Sequence, residues 1–119
     1  MLKQFEIWLT DLEPRYGSEQ GGKRPVLIAE TNAVYGNGNT TIVIPLSSQI
    51  ERVFPFDVII TPNKKNGLNK KSKLMFRQLR VIDKKRFKKK MGTLEEEYRE
   101  AFVKRLQILF DLKGSFIGA

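Results

Sequence analysis

The 119-residue sequence contains no cysteine and no histidine. Without cysteine there is no disulfide, and the fold needs no oxidising compartment. Without either residue the usual ligands of a zinc or haem site are missing. So are the Ser-His-Asp triad and the Cys-His dyad. No apolar run approaches the roughly 18 residues of a membrane helix, and the first six residues (MLKQFE) lack the apolar stretch of a signal peptide. A soluble cytoplasmic chain, away from membranes, is expected. Carboxylates are also scarce: 13 Asp and Glu stand against 22 Lys and Arg, a net charge of +9. Asp11, Glu13, Glu19, Asp57 and Asp83 are scattered and form no D-x-D pair of the kind a two-metal nuclease uses. The glycine-rich stretch at residues 13–26 (EPRYGSEQGGKRPV) lacks the spacing of a nucleotide-binding P-loop.

What is present is positive charge and strand-like patterning. An excess of +9 suits a polyanionic partner, either nucleic acid or an acidic protein segment. The length fits one domain, residues 1–119, and 40% hydrophobic residues supply an ordinary core. Residues 5–11 alternate, with Phe5, Ile7 and Leu9 on one face and Glu6, Trp8 and Thr10 on the other, which predicts a half-buried strand. Further strands are expected at 24–30 (RPVLIAE), 40–46 (TTIVIPL) and 56–61 (FDVIIT). Two short ones, or one bent strand, are expected at 73–76 and 78–82. Residues 31–39 read as a flexible hairpin loop around YGNGN, and Asn66-Gly67 as a tight turn. The basic run 83–90 (DKKRFKKK) reads as a short helical turn with a solvated cationic face. Thr93 and Glu96 fit a capping box that opens a helix, with Leu94, Tyr98, Ala101, Phe102, Leu106, Leu109 and Phe110 as its packing stripe and Lys113-Gly114 as its end. The sum is a mainly β fold (α+β): a small antiparallel barrel with a C-terminal helix packed on it.

The chemistry left to such a chain is phosphate chemistry run by arginine, hydroxyls and backbone N–H groups. An arginine fork matches a phosphate bidentately and stays charged at any working pH. An RNA substrate brings its own nucleophile, the 2′-hydroxyl, so the protein needs only to align it and to stabilise developing charge.

The stretch EIWLTDLEPRYGSEQGGKRPVLI resembles the N-terminal signature of the MazF/PemK toxin endoribonucleases: a strand, D-x-x-P, G-S-E-Q-x-G, then R-P-V. VIPLSSQI (43–50), RQLRVIDKKRF (77–87) and the closing helix up to about Leu112 are similar to later parts of the same family. The resemblance implies an SH3-like barrel, a homodimer, and cofactor-free, metal-independent and sequence-specific cleavage of single-stranded mRNA. The expected products carry a 2′,3′-cyclic phosphate and a 5′-hydroxyl, and an acidic antitoxin is implied as partner. Carried over by position, Arg24 falls on the catalytic arginine and Ser47 on a catalytic hydroxyl. Ser18, Glu19 and Gln20 form the loop at the active-site mouth, and Gln78 falls on the later strand's glutamine. One branch of the family has an Arg-x-Asp pair before that glutamine and a histidine in the early loop. Here those positions read Met75, Arg77 and Ser18, so this chain is similar to the branch that relies on arginine and a hydroxyl.

Each of these residues has a plainer reading. Arg24 could pair with Asp11 or Glu13, Ser47 could be a turn serine, and Glu19 could pair with Lys23 or Arg24. Gln20 and Gln78 could brace the loop. Arg77 and Arg80 are candidates for RNA contact or for a solvated surface, and Trp8 for packing. Two other functions remain open on the same residues: a gyrase-poisoning toxin like CcdB on the same barrel, and a noncatalytic RNA-binding module.

Overall fold

A computed structural model describes residues 2–35 and 38–112. Seven antiparallel strands build a curled sheet: β1 Glu6–Asp11, β2 Lys23–Ile28, β3 Thr40–Ser47, β4 Val58–Ile60, β5 Ser72–Leu74, β6 Arg80–Asp83 and β7 Phe87–Thr93. The spatial order is β4-β5-β3-β2-β1-β7, with β6 beside β3. A short helix, α1 (Asn32–Tyr35), links β2 to β3, and α2 (Arg99–Leu109) follows β7. This is the expected mostly β half-barrel with a C-terminal helix.

The central strands are apolar on both faces because both faces are covered. Leu27, Ile44 and Leu46 join Ile7, Ile60, Leu74, Phe76, Leu94 and Phe102 in the main core. Their neighbours Val26 and Val43 enter a smaller cluster with Leu12 and Ile82 on the other side. Strand β3 changes partner along its length. Residues Thr40 to Val43 pair with β6, whereas Leu46 and Ser47 pair with β5. Pro45, which has no N–H to donate, lies between the two pairings, and its carbonyl accepts from the Met75 amide at 3.0 Å. Between β5 and β6 the chain makes a 3₁₀ turn, Phe76–Gln78, so Gln78 sits in a turn and not in the strand expected at 78–82.

Other expectations are corrected. The basic run 83–90 is only briefly helical, a 3₁₀ turn at Lys84–Arg86 capped by Asp83. From Phe87 it is strand β7, which pairs with β1. Local composition suggested a helical turn; pairing with β1 overrides it. The helix does not open at Thr93. That residue ends β7 and donates to the Lys65 carbonyl at 2.8 Å. A 3₁₀ turn at Glu96–Tyr98 precedes α2, and neither helical start has a side-chain cap. The expected hairpin loop at 31–39 contains α1. Of the expected stripe on α2, Phe102 is core, whereas Phe110 is 56% exposed. The helix end expected at Lys113-Gly114 lies outside the described residues.

Strand β1 also departs from simple alternation. Glu6 and Thr10, on the more polar face of the expected half-buried strand, are buried, in a strand flanked by β2 and β7. Glu6 Oε1 accepts from the Trp8 indole and the Lys3 amide, each at 3.0 Å, and Oε2 pairs with Lys90 at 3.0 Å. Trp8 packs edge-to-face on Phe87 at 5.7 Å, the packing role expected of it. Burial alone would raise the Glu6 pKa, but the Trp8, Lys3 and Lys90 contacts outweigh it and hold the carboxyl below its usual 4.5. A carboxylate with a lowered folded pKa stabilises the fold above its unfolded pKa and loses that contribution as pH falls through the folded value. Glu6→Gln should therefore cost about 1–2 kcal/mol at pH 7. Below about pH 4 the gap between variant and wild type should shrink. Thermal melts across that range, read by Trp8 fluorescence, check it; a gap that is flat with pH contradicts it.

Candidate active site

The ladder between β2 and β3 runs from Ile28↔Val43 to Val26↔Pro45 and stops. Continued by one and two residues, the same register would set Pro25 against Leu46 and Arg24 against Ser47. Pro25 and Pro45 supply no N–H to the ladder here, and the strands part. The gap they leave is a cleft of about 300 Å³. Arg24 and Ser47 line it from opposite strands, with Lys23 and Lys70, the Ser48-Gln49 turn, and Leu68 and Met91 on its apolar side. No carboxylate lines it.

Arg24 is half-buried and tethered. Its Nε donates to the Gly21 carbonyl at 2.8 Å and its Nη1 to the Leu46 carbonyl at 3.3 Å. It pairs with neither Asp11 nor Glu13 by direct hydrogen bond among the described contacts. Burial above all, and then the like charge of Arg15, lower its pKa from the usual arginine range, with Glu13 opposing. The guanidinium stays cationic at neutral pH, but it is held where water solvates it poorly, so an anion in the cleft would restore lost stabilisation. Ser47 is nearly buried. Its Oγ accepts from the Gln49 amide at 3.2 Å, which leaves the hydroxyl proton available as a donor.

The remaining predicted residues do not all converge on this cleft. Ser18 and Glu19 are exposed. Glu19 closes a small turn, its Oε1 accepting from the Tyr16 amide and its own amide donating to the Tyr16 carbonyl, both at 3.0 Å. It pairs with neither Lys23 nor Arg24 in the described contacts. Gln20, Arg77 and Gln78 line a second cleft of about 380 Å³, with residues 54–57, Lys73 and Met75. The Gln20 amide donates to Gln78 Oε1 at 3.3 Å, the bracing contact weighed for that pair. Arg80 Nη1 reaches the Gln20 carbonyl at 3.5 Å. The loop thus separates the two clefts, fixed by Gln78 on one side and holding Arg24 through Gly21 on the other. A Cβ at Gly21 would meet the side chains of Glu13 and Arg15, so a larger residue there would displace both. Glu13 in turn accepts from the Gly22 amide.

Lys23, Lys70, Asn69 and Gln49 were not singled out from the sequence. Lys23 adjoins R-P-V and could have been. Lys70 and Asn69 reach the cleft only because the 62–71 segment folds back on β7, which no local pattern announces. Among the described residues no three His, Cys, Asp or Glu side chains cluster to hold a metal, and no helix is long and apolar enough to cross a membrane.

Residues 3–110 match the family model described as PemK-like, MazF-like toxin of type II toxin–antitoxin systems. The chain belongs to that family. Solved structures agree on the fold. The Mycobacterium tuberculosis toxin MazF-mt6 is 22% identical, with 91% of this chain and 98% of that one covered at a TM-score of 0.74. MazF from Deinococcus radiodurans is 19% identical, covers 93% and 97%, and superposes at 0.79. An endoribonuclease from a mycobacterial species, solved with its cognate antitoxin, is 15% identical, covers 93% and 94%, and superposes at 0.72.

Proposed function

We propose that this MazF/PemK-family toxin is a ribosome-independent endoribonuclease that cuts single-stranded RNA in the Arg24–Ser47 cleft. The observation that carries the proposal is the composition of that cleft: a tethered, poorly solvated guanidinium faces a hydroxyl, two lysines stand beside them, and no carboxylate is present. Such a lining attracts a phosphodiester and repels a divalent cation. In the reaction the substrate's 2′-oxygen forms a bond to phosphorus and the P–O5′ bond breaks. The 2′-hydroxyl proton leaves to water, and the departing 5′-oxygen takes one up. The products are a 2′,3′-cyclic phosphate and a 5′-hydroxyl. Arg24 stabilises the charge that grows on the non-bridging oxygens. Ser47 donates a hydrogen bond that orients the phosphate. No imidazole or carboxylate lines the cleft, so proton transfer lacks the partner that is worth roughly 10²–10⁴ elsewhere, and turnover is expected to be slow.

The mycobacterial endoribonuclease crystallised with its antitoxin, and the +9 charge here extends that pairing to this chain: an acidic antitoxin is its partner. We also place the chain as a homodimer in solution. The outer edge of β6, where Val81 is 59% exposed, is the kind of strand edge that association covers. A sedimentation mass near 13.8 kDa would refute this.

The deciding assay is purified protein with long single-stranded RNA in EDTA. Fragments with 5′-hydroxyl ends are expected; intact RNA overturns the metal-free reading. Poisoning of DNA gyrase without RNA cleavage would instead favour the CcdB-like alternative, and salt-sensitive binding without cut ends a noncatalytic module. Ser47→Ala should slow cleavage about 10–100-fold, the worth of one hydrogen bond to a charged group. Ser47→Thr, which keeps the hydroxyl, should restore most of the rate. Equal rates for both variants would remove Ser47 from the chemistry.

A further inference from the structure

Strand register sets a further cation, Lys89, beyond the three that line the cleft. Pro25, which lines the cleft, is opposite Leu9 in β1, and Leu9 is opposite Lys89 in β7. Residues paired across antiparallel strands point to the same side of the sheet, so Pro25, Leu9 and Lys89 form one row on the face of Lys23 and Pro25, both of which line the cleft, whereas Arg24, opposite Thr10, enters it from the alternate face. Met91, at the register shift of β7 beside this row, lines the cleft itself. Lys89 is exposed, and among the described contacts it has no ion pair or hydrogen bond. Its neighbours are engaged: Lys90 pairs with Glu6, and Arg86 donates to the carbonyls of Asp11 and Glu13. The carboxylate on this face, Asp11, is opposite Lys23 and accepts from the Glu13 amide at 3.0 Å. Two strand spacings separate Lys89 from Pro25, about 10 Å, a span that a short run of extended RNA covers.

We propose that Lys89 is a phosphate-binding residue outside the cleavage cleft, and that bound RNA leaves the cleft across β1 towards β7. The inference rests on the RNA-cleaving reading above. Lys88 and the 84–86 turn share the charge of this run, but the register row gives Lys89 a defined place on the RNA path, whereas the plain reading of the run is a solvated face.

The test is binding of 2′-O-methyl RNA, which lacks the attacking hydroxyl, to the intact protein by fluorescence anisotropy. A decamer and a trimer serve as probes across a salt series. For the decamer, Lys89→Gln should weaken binding about 3–10-fold and reduce the slope of log K against log salt by about 0.7, the release expected for one single-strand phosphate contact. For the trimer, which reaches no further than the cleft, it should change affinity less than twofold. Lys104→Gln on α2, where Lys104 pairs with Glu100, is the control for loss of one charge anywhere, and its slope should match wild type. An unchanged decamer slope for Lys89→Gln overturns the proposal and leaves that face to an acidic protein. So does an equal loss with the trimer or with Lys104→Gln. Failure of the underlying reading looks different: unmodified decamer would stay uncut by wild type while the slope change at Lys89 persisted.

Discussion

Arg24→Ala should slow RNA cleavage about 10²–10³-fold, the usual effect of deleting one preorganised donor to a developing oxyanion. The geometry argues that the loss falls on kcat more than on KM. Lys23 and Lys70 still draw the phosphodiester into the cleft, but neither replaces a fork held at two points by the Gly21 and Leu46 carbonyls. Arg24→Lys keeps the charge and loses the fork, and is expected to recover less than a tenth of the wild-type rate. Stability should move the other way. The guanidinium is desolvated and sits near Arg15, both of which lower its pKa, so its charge is held at some cost to the fold. Removing it should leave Tm unchanged or slightly higher, the signature of a group kept for activity. Initial rates in EDTA and a thermal melt on the same preparation check both halves. Cleavage at the wild-type rate would withdraw Arg24 from the chemistry. A large fall in Tm alongside lost activity would make it a structural residue.

How far the sequence discloses this site follows from where its causes lie. Arg24 and Ser47 were legible because each ends a strand whose apolar run is local, KRPVLI and TTIVIPLS, and because the family signature includes both. What brings them together was partly legible as well. Pro25 and Pro45 lie where a shared ladder must fail, yet only the pairing Val26↔Pro45 shows that the two failures coincide. The fate of Thr93 and Glu96 was not legible. A Thr with Glu three residues on is a good helix start by local rules, but Thr93 is opposite Glu6 in the sheet and Glu96 pairs with Arg99 at 3.6 Å. Likewise the lysine-rich stretch after Asp83 has poor strand propensity and becomes β7 because β1 offers it an edge. Ser18 and Glu19 show the converse. They carry the family motif in sequence, but in the structure both are exposed and neither lines the cleft, Glu19 closing the turn at Tyr16.

Asn66→Ala should be the most destabilising single change discussed here, at about 3–5 kcal/mol. Asn66 is fully buried. Its Nδ2 donates to the Thr61 carbonyl at 2.9 Å and to Glu95 Oε1 at 3.0 Å. Its Oδ1 accepts from the Asn63 amide at 3.1 Å and the Leu68 amide at 3.0 Å. Alanine fills none of these roles and leaves four polar groups short of a partner in a space closed to water. The turn cannot easily relax to compensate. Gly67 has a φ of 70°, and a Cβ on it would lie 1.9 Å from the Met91 carbonyl, so the segment is pressed against β7. A Tm lower by about 10–20 °C is expected, measured by calorimetry; a drop equivalent to less than 1 kcal/mol would show that the asparagine is replaceable. Asn66→Asp separates hydrogen bonding from charge. It keeps an acceptor but sets a second carboxylate against Glu95, and that like-charge repulsion should make it more destabilising than alanine. The consequence reaches the cleft, because Leu68 and Lys70 line it directly downstream of this turn. Loss of Asn66 should lower RNA affinity even in the fraction that remains folded, while loss of Arg24 should leave the fold intact and remove the chemistry.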